Sequence, residues 1–187
     1  MDVNYKDEEV VKKVQEGDAE AFGTIVDRYE DKLLRYGRRF LSDRDDIADL
    51  VQDVFLKTYI NIKNFNIELR FSPWIYRIAH NEFVNALKKK TKSPLSFFDV
   101  DILFPHPISD ENESDRIDKE TLQRIFEKFL NTLDLKYREP IILYYFEDMG
   151  YQEIADILHI PISTVGVRIA RGKKILKKSY DLFQNKK

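Results

Sequence analysis

Three groups of side chains in this sequence have types and spacings suited to chemistry, and the chemistry is recognition, not bond-making. From Pro73 to Lys90, Trp74, Arg77, Asn81, Asn85 and Lys88 recur at i, i+3, i+7, i+11 and i+14, a single stripe on a helix. An indole can stack on an unpaired base, amides can read base edges and cations can hold phosphate. The bland reading is a Trp tucked under a neighbouring element with a polar rim. The second group lies between Asp46 and Ile60, where Asp49, Asp53, Leu56 and Ile60 align with Gln52 beside them. Carboxylates around an apolar centre suit a protein-docking patch.

The third group follows Tyr151. The stretch Tyr151-Gln-Glu-Ile-Ala-Asp-Ile-Leu-His-Ile-Pro-Ile-Ser-Thr-Val165 has the order helix, short turn, helix. Ile154 and Leu158 face inward, Ala155 is small where helices must cross, and Val165 anchors the second helix against the first. Ser163 reads as an N-cap after Pro161. His159 stands where a glycine often makes the turn, in a left-handed conformation that His tolerates. At 100° per residue, Val165, Ile169, Gly172 and Leu176 form a buried seam. Ser163, Val167, Ala170, Lys174 and Lys177 lie opposite, flanked by Arg168, Arg171 and Lys178. In helix-turn-helix docking the N-terminal end of such a helix meets base edges and its bases grip phosphate. A plain helical hairpin is the alternative.

The elements that must carry these groups are helical. Ile47, Leu50, Val51, Val54 and Phe55 supply the core side of the second group's helix, and Ile75, Ala79, Phe83, Ala86 and Leu87 that of the stripe's helix. Upstream, Gly17-Asp18 breaks a first helix and Asp18 reads as the cap of the next, with Phe22, Ile25, Val26 and Tyr29 at helical spacing. Ser72-Pro73 reads as an N-cap followed by a first helical residue. Ser93 to about Ser114 holds Pro94, Pro105 and Pro107 without periodicity, and reads as a linker able to span roughly 70 Å when extended. It also carries Leu95, Phe97, Phe98, Ile102, Leu103 and Phe104, enough apolar mass to dock on something. With 6 Gly and 6 Pro in 187 residues, and no alternating strand pattern, the expected fold is all-α in two small domains.

Charge is segregated, although the net value is only −2. Ser93 to Asp115 carries Asp99, Asp101, Asp110, Glu111, Glu113 and Asp115 without a Lys or Arg. Ser163 to Lys187 carries a run of Lys and Arg against Asp181 alone, and Lys88, Lys89, Lys90 and Lys92 form a second basic block. There are no cysteines, so disulfides and thiolate metal sites are excluded. The N-terminal residues lack a signal-peptide core and no apolar run approaches membrane-spanning length, so a cytoplasmic protein is expected. No glycine-rich phosphate loop is present and His80, His106 and His159 lie in unrelated contexts, so neither enzymatic activity, a cofactor, a metal nor a small-molecule substrate is expected.

Asp46-Ile-Ala-Asp-Leu-Val-Gln-Asp-Val-Phe55, Phe71-Ser-Pro-Trp-Ile-Tyr-Arg-Ile-Ala-His-Asn81, Tyr137-Arg-Glu, Tyr151-Gln-Glu-Ile-Ala155 and Ile160-Pro-Ile-Ser-Thr-Val165 occur in that order. The series resembles the signature motifs of the extracytoplasmic-function (ECF) sigma factors and covers nearly the whole chain. The resemblance implies a sigma region 2 helical bundle over 1–92, an extended acidic linker over 93–115 and a sigma region 4 helix-turn-helix over 116–187. It implies core RNA polymerase (β′ clamp and β flap), promoter DNA and an anti-sigma factor, including a membrane-bound one, as partners. Asp49, Gln52, Asp53, Phe55, Leu56 and Ile60 would bind core polymerase. Asn64, Phe65, Asn66 and Arg70, from a loop that captures a flipped base, would join Trp74, Arg77, Asn81, Asn85 and Lys88 at the −10 element. Ser163, Thr164, Val167, Arg168, Arg171, Lys174 and Lys178 would meet the −35 element.

Five positions at three places in the chain depart from the family pattern. Asp53 stands where Glu is usual, and Ser72-Pro73 where a basic residue and Thr are usual. Gly166 and Val167 replace the usual basic and hydroxyl residues, which leaves fewer hydrogen-bonding groups for base edges and shifts promoter choice toward the −10 side. The rival readings are a helix-turn-helix regulator that acts without being a polymerase subunit and an adaptor that mimics a sigma domain. The first leaves the Trp/Asn/Lys stripe and the acidic apolar helix unexplained; intact DNA surfaces count against the second.

Overall fold

A computed structural model describes residues 5–91, 129–130 and 132–184; the acidic linker expected over 93–115 lies outside them. Seven α-helices and one 3-10 turn, with no strand, make up the described residues. They divide into two compact units. One holds the N-terminal helices together with Ala155–His159, and the other holds the remaining C-terminal elements.

The first unit is built from α1 (Asp7–Gln15), α2 (Phe22–Gly37), α3 (Arg44–Asn61), a 3-10 turn (Ile62–Asn64) and α4 (Phe71–Thr91). The start of α1 is closed by Glu9, whose carboxylate accepts the Lys6 N–H at 2.9 Å, and its first turn is acidic, as the helix dipole favours. Asp43 caps α3 by accepting the Asp45 and Asp46 N–H groups at 2.9 and 3.0 Å. Two starts differ from the sequence expectation. Helix α2 begins at Phe22, and Asp18 instead closes the preceding turn by accepting from Ala21 N at 3.2 Å. Helix α4 begins at Phe71, one residue ahead of Ser72, because the Phe71 N–H finds an acceptor on α1, the Glu8 carboxylate at 2.8 Å.

Aromatic rings fill this core. Tyr36 meets Phe40, Tyr76 and Phe83 edge-on at 5.2 to 6.1 Å, and Phe40 stacks on Phe83. Burying a side chain of this size contributes about 1.5–3 kcal/mol. The predicted core positions Ile47, Val51, Val54, Ile75, Ala79 and Phe83 are buried, and α4 hides a wider face than its period alone implied, adding Phe71, Tyr76, His80 and Val84. Lys57 and Glu82 tie α3 to α4 at 2.5 Å across the rim.

In the C-terminal part, α5 (Leu135–Tyr145), α6 (Tyr151–Leu158) and α7 (Ile162–Gln184) follow one another. Asp148 turns the chain between α5 and α6 at φ 51°, and His159 does so between α6 and α7 at φ 54°, the left-handed geometry expected of it. Glu153 reaches back to the Gly150 N–H at 2.7 Å and closes the start of α6. Helix α7 packs along α5, with Leu130, Leu133 and Ile141 as the core and Tyr137 and Leu176 against it. Gly172 makes that approach possible, since a Cβ there would lie 2.5 Å from Ile141 Cδ1 and 3.3 Å from Tyr137 Cβ. The sequence reading expected α7 to be anchored chiefly against α6; its close approach is to α5. Within the Tyr137-Arg-Glu motif, Arg138 and Glu139 are buried, so that motif belongs to the core.

Candidate nucleic-acid and docking interfaces

Helix α3 presents the acidic and apolar patch that its period implies. Asp49, Gln52 and Asp53 are exposed, and Leu56 and Ile60 are 58% and 65% exposed. Phe55, assigned to the same site by family resemblance, is buried and contacts Phe22 edge-on at 6.4 Å. It supports the patch from beneath, because residue 55 falls on the core side of the same period. Two features were missed. Tyr59 is exposed at the patch edge with its ring against Phe22 at 5.1 Å, and a shallow groove between α2 and α3 is lined by Val26, Leu34, Ala48, Val51 and Phe55. The spacing of Val26 and Leu34 at i and i+8 on α2 was the available signal.

The segment from Ile62 to Phe71 joins this patch to the stripe on α4. Asn64, Asn66 and Arg70 are exposed, as the loop reading requires. Asn66 also shapes the loop, its Oδ1 accepting the Glu68 N–H at 3.0 Å and its carbonyl the Leu69 N–H at 3.0 Å. Phe65 is different. It is buried, 5.6 Å from the Phe71 ring and 5.0 Å from the Trp74 ring, and in this state offers no face to a base. Trp74 lies 5.7 Å from Phe71 and is half-buried, where the sequence suggested a bare indole. Three rings thus brace the base of the loop. Along α4, Arg77, Asn81 and Asn85 are exposed, as the stripe reading requires, and Lys88 is half-buried.

On α7 the seam and the outer face separate as expected. Val165, Ile169 and Gly172 are buried; Ser163, Val167, Ala170, Arg171, Lys174, Lys177 and Lys178 are exposed, while Thr164 and Arg168 are half-buried. Ser163 is not the cap. Pro161 takes that place, its carbonyl accepting from Thr164 N at 2.8 Å and Val165 N at 3.3 Å, so the Ser163 hydroxyl sits in the first turn. At Gly166 a Cβ would lie 3.3 Å from the Tyr151 ring, a contact far looser than the one at Gly172. An aromatic cluster beside it was missed: Tyr151 meets Tyr144 at 5.3 Å, Tyr144 meets Tyr145 at 4.8 Å, and Lys173 lies over the Tyr145 ring at 5.6 Å. The Tyr145 hydroxyl, as a hydrogen-bond partner, shifts the Lys173 ammonium upward from its ordinary value. The run Tyr144-Tyr145-Phe146 was the visible clue.

The chain is similar to known proteins along most of its length. The model of Sigma-70 region 2 matches residues 25–93 and that of Sigma-70 region 4 matches residues 123–176. The chain is 34% identical over 177 residues to the ECF RNA polymerase sigma factor SigW of Bacillus subtilis, covering 90% of this chain and 93% of that one. It belongs to the ECF sigma factors. The ECF RNA polymerase sigma-E factor of Haemophilus influenzae is 32% identical over 179 residues, 91% of this chain and 93% of the other.

Among solved structures, the sigma factor RpoE of Bartonella quintana, in complex with the anti-sigma factor NepR, matches with a TM-score of 0.63 at 25% identity, covering 84% of this chain and 94% of the other. CnrH, in complex with the cytosolic domain of CnrY, shares the fold with a TM-score of 0.65 at 24% identity over 94% of this chain and 97% of that one. As a sigma factor, the protein directs promoter-specific transcription by RNA polymerase. The region 2 match covers the half of the chain that a free-standing helix-turn-helix regulator leaves unexplained. Among the described residues no helix is long and apolar enough to cross a membrane, and no acidic or histidine cluster is arranged to hold a metal ion.

Proposed function

We propose a division of labour between the two halves of this sigma factor. Asp49, Gln52, Asp53, Leu56 and Ile60 dock on the polymerase β′ clamp, with Phe55 beneath them. Asn64, Asn66, Arg70, Arg77, Asn81, Asn85 and Lys88 meet the melted −10 element, with Phe65 and Trp74 as the platform that holds the loop. Ser163, Thr164 and Val167 face bases of the −35 duplex, and Arg168, Arg171, Lys174 and Lys178 grip phosphate. The halves are 1–92 and 116–187, joined by 93–115, and the β flap meets the second. The protein acts in the cytoplasm without catalytic activity of its own, and an anti-sigma factor holds it inactive, as the solved complexes of its relatives suggest.

The observation that carries this reading is the exposure of Arg77, Asn81 and Asn85 on α4 in the same unit as the exposed acidic and apolar face on α3. Run-off transcription with core polymerase and a genomic fragment library tests it. Factor-dependent transcripts are expected, with weak DNA binding by the isolated protein, since only polymerase fixes the spacing of the two DNA surfaces. Tight footprints by the isolated protein without factor-dependent transcripts would overturn it.

A further inference from the structure

Helix α1 lies outside the segment matched by the region 2 family model, which starts at residue 25, yet it holds both ends of the loop between α3 and α4. At the loop's entry, Gln15 Nε2 donates to the Ile62 carbonyl at 2.7 Å and to the Phe65 carbonyl at 2.8 Å, so both amide hydrogens are engaged. At its exit, Glu8 Oε1 accepts the Phe71 N–H at 2.8 Å and so satisfies a donor at the start of α4. Residues 8 and 15 are two helical turns apart and share one face of α1. That face is fixed in turn. Val10, Val11 and Val14 are buried, and Asp7 accepts from Arg28 Nη1 at 2.6 Å and from the Tyr29 hydroxyl at 2.5 Å.

We propose that α1 is a positioning element for −10 recognition, with Gln15 and Glu8 setting the backbone shape of the Ile62–Phe71 loop. The inference deepens the proposed function and rests on its reading that the loop around Asn64 to Arg70 meets the −10 element. A loop whose backbone is ordered beforehand loses less conformational freedom on binding, and it discriminates between bases when that order holds its edge-reading groups in the one geometry that fits the preferred base. The loop's own contacts supply part of that order through Asn66 and the Phe65, Phe71 and Trp74 rings. The carbonyls of Ile62 and Phe65 are held by an amide 47 or more residues away in sequence, so the tip's geometry is set from outside the loop.

The test uses holoenzyme reconstituted with core polymerase and a responsive promoter in which each −10 base is substituted in turn. Gln15→Glu keeps the size of the side chain but turns oxygens toward two carbonyls, and Gln15→Ala removes the donor without repulsion. With either, the ratio of transcription between the preferred and the substituted base at one −10 position should fall by roughly tenfold, the scale of one base-edge contact losing its geometry. Core affinity and the effect of −35 substitutions should hold. Glu8→Ala should act likewise, and Glu8→Gln, which keeps an acceptor oxygen, should retain the ratio. A lower yield from every promoter with ratios unchanged would make α1 a scaffold only and overturn the inference. Asn64→Ala is measured in parallel. If it flattens the −10 ratios while the Gln15 variants do not, this inference falls and the loop reading stands; if neither variant moves them, the loop reading falls too.

Discussion

The two helices proposed to face DNA, α4 and α7, carry different side chains on their exposed sides. Along α4 the exposed edge carries Arg77, Asn81 and Asn85, groups that can read base edges, raised on a core of aromatic rings and flanked by a loop fixed at both ends. Along α7 the exposed N-terminal positions are Ser163, Val167 and Ala170, small or apolar, and the cations come later at Arg171, Lys174, Lys177 and Lys178. Bidentate pairs to bases are worth about 1–3 kcal/mol each, whereas phosphate contacts add affinity with no sequence information. The difference teaches that specificity and grip need not sit on the same helix. Under the proposed function α4 discriminates and α7 holds.

The largest effect should come from neither of these helices but from the α3 face proposed to dock on polymerase. Leu56→Arg is expected to lower factor-dependent transcription a hundredfold or more, on the order of a central interface residue worth 2–4 kcal/mol. Its thermal stability should stay within about 0.5 kcal/mol of the parent, because the side chain is 58% exposed. A large drop in unfolding temperature would instead show that Leu56 supports the core.

Next in size is a pair of glycines on α7. Gly172→Ala should cost about 1–3 kcal/mol by overpacking against Ile141, seen as a lower unfolding midpoint of the C-terminal helices. Gly166→Ala meets only the Tyr151 ring edge at 3.3 Å, and there the gain in helix propensity of up to about 1 kcal/mol should leave stability equal or higher. Similar losses at both sites would mean that Gly166 is also a packing glycine and that the poverty of this face in polar groups is structural.

The comparison itself is tested by saturation mutagenesis of a responsive promoter. Asn81→Ala should relax preference at one −10 position by about 1–3 kcal/mol. Arg171→Ala should weaken all promoters alike and reduce the salt dependence by roughly one unit of slope. A −35 element more sharply constrained than the −10 would reverse the assignment of specificity to α4.

A smaller and more selective effect concerns alkaline pH. Burial first, and then the Asp7 carboxylate, push the Tyr29 hydroxyl far above its ordinary value of 10.0. The folded state therefore keeps a proton that the unfolded chain releases. This contribution to stability is intact below pH 10.0 and is lost above it by about 1.4 kcal/mol per pH unit. Tyr29→Phe should lower stability at neutral pH by about 1 kcal/mol through loss of the hydroxyl that Asp7 Oδ2 accepts from, Arg28 still holding Oδ1, yet flatten its decline above pH 10.0. Unfolding midpoints of both proteins from pH 8 to 11 give the two slopes.

The sequence by itself determined the helices, their faces and the family. A period of 3.6 residues put Asp49, Asp53, Leu56 and Ile60 outside and Ile47, Val51 and Val54 inside, and it divided α7 into seam and surface, because those facts depend on one helix at a time. It also placed the left-handed turn at His159. Tertiary structure decided what period cannot see. Phe65 and Trp74 were read as base contacts, but other rings cover them wholly or in part. Ser72 and Ser163 looked like caps, yet Glu8 and the Pro161 carbonyl take those roles. The reason is distance along the chain. Gln15 and Ile62 are 47 residues apart and Glu8 and Phe71 are 63, so the partner that fixes the loop is set by how α1 packs, and no pattern local to the loop encodes it.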